Sequence, residues 1–163
     1  MRFSDRNYIY LITISVILCA FGFFSCKTYT DPLLYATYET RAISPEGYGN
    51  YILRVQGKGT SKKMAIENAK KQAVRDVLFT DVHVAYGDHK PLMRLIVDPS
   101  TEQKNPSFFN DFFSSNGTYK DYISSTKEDK ESYSKGANYT VILNIIVKRE
   151  ELRQLLMSQG LIK

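Results

Sequence analysis

Three rhythms of apolar and polar positions run along this chain. Residues 8–24 are apolar or small without a single charge. Ala65, Ala69, Ala73 and Val77 fall on an unbroken i, i+4 ridge, flanked by Ile66, Val74 and Leu78. Lys62, Lys63, Glu67, Lys70, Lys71 and Arg75 occupy the opposite face, so the segment reads as an amphipathic helix. Small residues along its ridge let the helix axis come close to a partner surface. Tyr51, Ile52, Leu53 and Val55 precede it as a strand. Gly57 and Gly59 free the backbone for a turn, and Thr60 or Ser61 caps the helix. Residues 138–148 alternate strictly: Tyr139, Val141, Leu143, Ile145 and Val147 against Thr140, Ile142, Asn144, Ile146 and Lys148. Ile142 and Ile146 make the second face partly apolar as well, which predicts a central strand.

The remaining elements are shorter. Val82, Val84 and Tyr86 alternate with His83 and Ala85, predicting a brief strand before the Gly87-Asp88 turn. A second apolar run, 92–97, is closed by Asp98-Pro99. Asn105-Pro106 has the form of an N-cap followed by proline at the first helical position. The helix it starts pairs Phe108 with Phe112 and Phe109 with Phe113. Residues 119–125 read as a strand, 126–136 as a charged loop, and 150–159 as a helix bearing Leu152, Leu155 and Leu156 on one face. Gly160 and Leu161 then fit a Schellman ending. The predicted class is α+β: one alanine-rich helix on a mostly antiparallel sheet of 3–5 strands, with a short phenylalanine-rich helix and a C-terminal helix.

The chain's organisation follows from its N-terminus. Arg2 and Arg6 precede the 8–24 run, which has the form of a secretory signal peptide, with an uncleaved membrane anchor as the alternative. Phe23-Phe24-Ser25-Cys26 closes the run and partially resembles a bacterial lipobox, as in loose lipoboxes of Bacteroidota lipoproteins. The resemblance implies that Cys26 is the acylated first residue of the mature chain, holding it to a bilayer; otherwise Cys26 is an ordinary residue beside an anchor. The expected division is 1–25 signal peptide, 26–50 tether, with room for a short edge strand around 33–40 and for its tyrosines to dock on the domain, and 51–163 a single α+β domain. Cys19 lies inside the apolar run, so cleavage leaves Cys26 alone, and no disulfide or cysteine-based metal site is expected. Lys27-Thr28-Tyr29 lacks the aspartate and the acidic cluster of other lipoprotein sorting signals. This favours the periplasmic face of the outer membrane.

After cleavage, 20 basic and 16 acidic residues remain, well mixed. A nucleic-acid binder concentrates its cations in one stripe with interleaved aromatics, and no such stripe is present. The segment GKGTSKK has the context of a phosphate cradle, yet Gly59 is followed by Thr60 where a P-loop needs lysine, so it reads as a solvated turn. His83 and His89, with Asp81, Asp88 and Asp98 nearby, have no standard ligand spacing, and neither a metal nor another cofactor is expected. No nucleophile–base set stands out, so the chain is expected not to be an enzyme.

The strand and helix, with Ala65-Ile66, Ala69-Lys70-Lys71 and Ala73-Val74, followed by an antiparallel hairpin, resemble the small envelope domains of Lpp-type lipoproteins and of the N-terminal region of the flagellar ring protein FlgT. Lys90-Pro91-Leu92 and the 108–113 phenylalanine segment resemble uncharacterised Bacteroidota lipoproteins. The resemblance implies fold and location and assigns no catalytic residue. The expected role is a non-catalytic, membrane-anchored adaptor or structural component of an envelope assembly, with an envelope protein as partner. The alternative is an accessory lipoprotein that binds peptidoglycan or a small ligand, stacking sugars on Tyr119, Tyr122 or the phenylalanine cluster. Phe108, Phe109, Phe112 and Phe113 have two readings, a plug for one end of the core or an exposed partner-binding patch.

Overall fold

The structure, a computed structural model, describes residues 39–163 apart from 48, 86–89 and 130–131. The apolar run 8–24 and Cys26 lie outside the described residues. Among the described residues no helix is long and apolar enough to cross a membrane.

The fold is α+β, as predicted. In chain order the elements are β1 (Arg41–Glu46), β2 (Asn50–Gly59), α1 (Lys62–Phe79), β3 (His83–Val84), α2 (Thr101–Lys104), α3 (Pro106–Phe112), a 3₁₀ turn (Thr118–Tyr122), β4 (Ile123–Glu128), β5 (Tyr133–Lys135), β6 (Asn138–Val147) and α4 (Arg149–Ser158). The sheet order is β3-β1-β2-β6-β4, with β5 also on β6. All pairings are antiparallel except that of β1 with β3.

β2 and β6 form the centre, running antiparallel from Tyr51↔Val147 to Gly59↔Tyr139. Their period-2 pattern puts Leu53, Val55, Val141, Leu143, Ile145 and Val147 on one face, all buried beneath α1. Each fully buried Val, Leu or Ile side chain contributes roughly 1.5–3 kcal/mol, against about 0–1 kcal/mol for an exposed ion pair. This layer therefore dominates the adhesion between helix and sheet. Ile142 is buried on the other face and Ile146 is half-buried there, in line with a second face that is partly apolar.

The alanine ridge sits directly on the glycines of β2. A Cβ at Gly57 would lie 2.0 Å from the Ala65 carbonyl oxygen and 2.6 Å from the Ala69 Cβ, and one at Gly59 would lie 2.7 Å from the Ala65 nitrogen. Both glycines belong to the strand itself, and the turn predicted there shrinks to Thr60 and Ser61. Glycine is required because a helix backbone passes over it. Ser61 caps α1, its Oγ accepting from the Met64 N–H at 3.2 Å.

Other elements differ from the sequence reading. Among the described residues the sheet begins at Arg41, inside the 26–50 segment read as a tether, where β1 pairs with both β2 and β3; most of the 33–40 edge strand lies outside the described residues. The apolar run 92–97 does not form a strand. Only Leu92 bridges to Val82, while the N–H groups of Leu95 and Ile96 donate to the Val77 and Leu78 carbonyls at 3.1 and 2.8 Å. The run thus satisfies carbonyls left open at the C-terminus of α1. The 119–125 strand starts late, at Ile123, after the 3₁₀ turn, and the charged loop contains the end of β4 and all of β5. The C-terminal ending is the predicted one: Gly160 has φ +65°, Leu161 N–H donates to Leu156 O at 2.9 Å and Gly160 N–H to Met157 O at 3.0 Å.

Candidate functional site

Among the candidate site residues singled out by sequence, Cys26, Asp88 and His89 lie outside the described residues. His83 is exposed, its Nε2 3.3 Å from Glu39 Oε1. Among the described residues no three His, Cys, Asp or Glu side chains converge on a metal position.

The phenylalanines divide. Phe109 and Phe112 are only 3% and 4% exposed and belong to the core, so neither belongs to an exposed patch. Phe108 and Phe113 are half-buried and pack against them, Phe108 stacked on Phe112 at 5.7 Å and Phe113 edge-on to it at 4.9 Å. The helix period explains this: α3 is one short element lying over the end of the core, and its i, i+3 positions point inward. Arg75 of α1 closes the outer side. Its guanidinium lies 5.3 Å from the Phe79 ring and 5.2 Å from the Phe113 ring, and both terminal nitrogens donate to Glu102, at 2.8 and 3.0 Å. Tyr119 is wholly buried and cannot stack on a sugar. Its hydroxyl donates to Glu67 Oε2 at 2.6 Å. Burial and this bond push the Tyr119 hydroxyl pKa well up.

Three carboxylates depart from their ordinary acidity, and each has a local cause. Burial raises Asp76, against hydrogen bonds donated by Thr40 and Gln72 that lower it. Burial also acts to raise Glu67, but the bond from Tyr119 and the nearby Lys70 and Lys120 outweigh it, and its pKa is lowered. Asp98 is brought down to about 2 by bonds from the Ser100 hydroxyl and N–H and from Lys104. These are structural pairings that brace α1 and the approach to α2.

A groove of about 530 Å³ opens between the 94–98 segment, α4 and the chain's last residues. Leu95 and Ile96 are buried at its floor, and Leu161 and Ile162 flank them. Four cations line it: Arg94, Arg149, Arg153 and Lys163. The Arg149 backbone N–H donates to Asn50 Oδ1 at 3.2 Å, and its guanidinium donates to Met93 O at 2.8 Å, which fixes its position. Its Nε is buried with no hydrogen-bond partner. Burial, followed by the neighbouring Arg153 charge, lowers the Arg149 pKa. One carboxylate, Asp98, also lines the groove and pairs with Lys104 at 3.1 Å, while Asp81 accepts from the Arg94 N–H at 2.9 Å and lies 3.8 Å from the Arg94 Nε, so Arg94 is the one groove cation with a carboxylate partner among the described residues. Among the described residues no carboxylate makes an ion pair with Arg149, Arg153 or Lys163.

Sequence reasoning missed this groove because its cations come from separate stretches, each unremarkable alone. One local signal was available. Arg149 opens α4, where the helix dipole disfavours a cation, and Arg153 repeats that charge four residues later, where like charges repel.

No protein-family model, curated protein or solved structure matches this chain.

Proposed function

We propose that this chain is a non-catalytic lipoprotein, anchored through acylated Cys26, that works as a binding or adaptor module of the cell envelope. The observation that carries the binding role is the cationic groove, a concave, partly apolar surface on which Arg149, Arg153 and Lys163 have no ion-pair partner among the described residues. Its size falls in the range of natural ligand sites. The anchor rests on the charge-free run 8–24 ending at Ser25-Cys26. The shifted carboxylates support a non-catalytic reading, since each is accounted for by a bracing contact.

Phe109 and Phe112 fill the core and leave only the half-buried Phe108 and Phe113 at the surface, which favours a docking surface elsewhere. The adaptor role passes to the groove. The concavity of the groove also favours a second reading, an accessory lipoprotein that takes a wall fragment or small anion at the same place.

Two measurements test the proposal. Metabolic labelling with an alkyne fatty acid is expected to mark the wild-type chain and not Cys26→Ala; labelling of both refutes the anchor. Crosslinking in intact cells, followed by purification from the membrane fraction, is expected to return a reproducible protein partner. Recovery of wall fragments alone moves the assignment to the second reading.

A further inference from the structure

We infer that the groove between the 94–98 segment and α4 binds an acidic segment of a partner protein whose carboxylates alternate with apolar side chains. This rests on the adaptor reading above and specifies what the partner presents.

The first support is charge. Arg149 and Arg153 stand four residues apart on one helix without ion-pair partners among the described residues, so each raises the energy of the other's charge. An incoming anion removes that repulsion and gains charge-assisted hydrogen bonds. Guanidinium groups match carboxylates in paired geometry, and Arg149 is already held by Met93 O, so little of its freedom is lost on binding.

The second support is the apolar component. Val97, 73% exposed, and the half-buried Leu161 and Ile162 present apolar surface at the groove, over a floor of Leu95 and Ile96 that is already buried. Purely ionic ligands leave such surface wetted, whereas side chains such as Leu or Ile remove it from water, at about 25 cal/mol per Å². A ligand that satisfies both parts carries negative charge and aliphatic groups in close succession.

The third support separates a peptide from a lipid surface. The cations line a concavity, while Glu150 and Glu151 are exposed on the same first turn of α4. A flat anionic membrane pressed on this region also meets Glu150, which adjoins the Arg149 and Arg153 side of the helix. A narrow segment lying in the groove meets four cations and a single carboxylate side chain, Asp98, which is already paired with Lys104.

The test uses the full-length chain in neutral detergent and fluorescence polarisation of three labelled hexapeptides, alternating Leu-Glu, Leu-Gln and Gly-Glu. The Leu-Glu peptide is expected to bind at least about tenfold more tightly than either control. Arg153→Glu, an exposed position, is expected to weaken it by about tenfold or more with thermal stability unchanged. Salt of about 1 M, which shortens the screening length to about 3 Å, is expected to weaken the wild type far more than the variant. Equal binding of the Leu-Glu and Leu-Gln peptides overturns the inference. So does Arg153-dependent binding of dihexanoyl phosphatidylglycerol in place of the peptide, which assigns the groove to lipid. In cells, a crosslinked partner retained undiminished by Arg153→Glu refutes the groove assignment and leaves the adaptor role standing. Loss of any protein partner in the wild type refutes the adaptor role itself.

Discussion

Gly57→Ala is the most direct test of how α1 is seated. The added Cβ lies 2.0 Å from the Ala65 carbonyl oxygen and 2.6 Å from the Ala69 Cβ, whereas real Cβ atoms essentially never approach within 3.0 Å of another heavy atom. The nearer obstacle is helix backbone, which cannot rotate away as a side chain does. The first turns of α1 must therefore lift by about 1 Å, opening contacts to Val55 and Val141 in a close-packed layer. Overpacking of this kind costs about 1–3 kcal/mol even where side chains can adjust. The stiffer unfolded chain returns only about 0.4–1 kcal/mol. The expected net loss is about 2 kcal/mol, or about 8 °C in melting temperature for a domain of this size. Urea denaturation of Gly57→Ala beside Gly47→Ala measures it, because Gly47 has open space around it and no positive φ; that variant is expected to be neutral or slightly stabilised. Adding Ala69→Gly removes the 2.6 Å contact with the Ala69 Cβ and leaves those with the Ala65 carbonyl and, also at 2.6 Å, the residue-69 nitrogen, so the double variant is not expected to recover. Equal stability of the Gly57 and Gly47 variants, or full rescue by Ala69→Gly, refutes the reasoning.

Four further outcomes are expected. Arg75→Ala should lose about 1–2 kcal/mol in chemical denaturation, from two ring contacts and a half-exposed forked ion pair; Arg75→Lys, which keeps the charge without the fork, should recover less than half, and full recovery would exclude the planar stack as the source. Tyr119→Phe should cost about 1–2 kcal/mol by leaving Glu67 short of its buried donor. Asp76 has its pKa raised in the fold, so its protonated form is favoured there: its contribution is fully present below the ordinary aspartate range and is lost as pH rises through the raised value. Glu67 is lowered, so its contribution is present above the ordinary glutamate range and lost as pH falls; stability profiles of Asp76→Asn and Glu67→Gln against pH should flatten in opposite senses, and parallel changes would contradict both assignments. Phe109→Ala should destabilise by about 3–5 kcal/mol, as a core residue does, and a stable variant that merely loses a partner would restore the exposed-patch reading.

Legibility in the sequence followed how far each signal was local. β6 was readable because alternation over ten positions has one interpretation, and its doubly apolar pattern placed it in the sheet's centre beside β2. The Schellman ending was readable because Gly160 and Leu161 carry the whole motif within a few residues. Gly57 and Gly59 were visible, but their reason lay in a helix passing overhead, and from sequence alone a turn explained them equally well. The apolar run 92–97 has a strand's composition and instead spends its N–H groups on Val77 and Leu78, a choice made by tertiary position. The groove was the least legible feature. Its cations are drawn from residues 94, 149, 153 and 163, and only the fold brings them together. Arg149 nevertheless broke a local rule, a cation opening a helix with another four residues on. Sequence departures of this kind, unfavourable where they stand and without a carboxylate paired to them, point to a demand made from outside the element. In this molecule the demand is consistent with an anion arriving in the groove, and the polarisation of a Leu-Glu peptide by wild type and Arg153→Glu decides whether that is the reason for the departure.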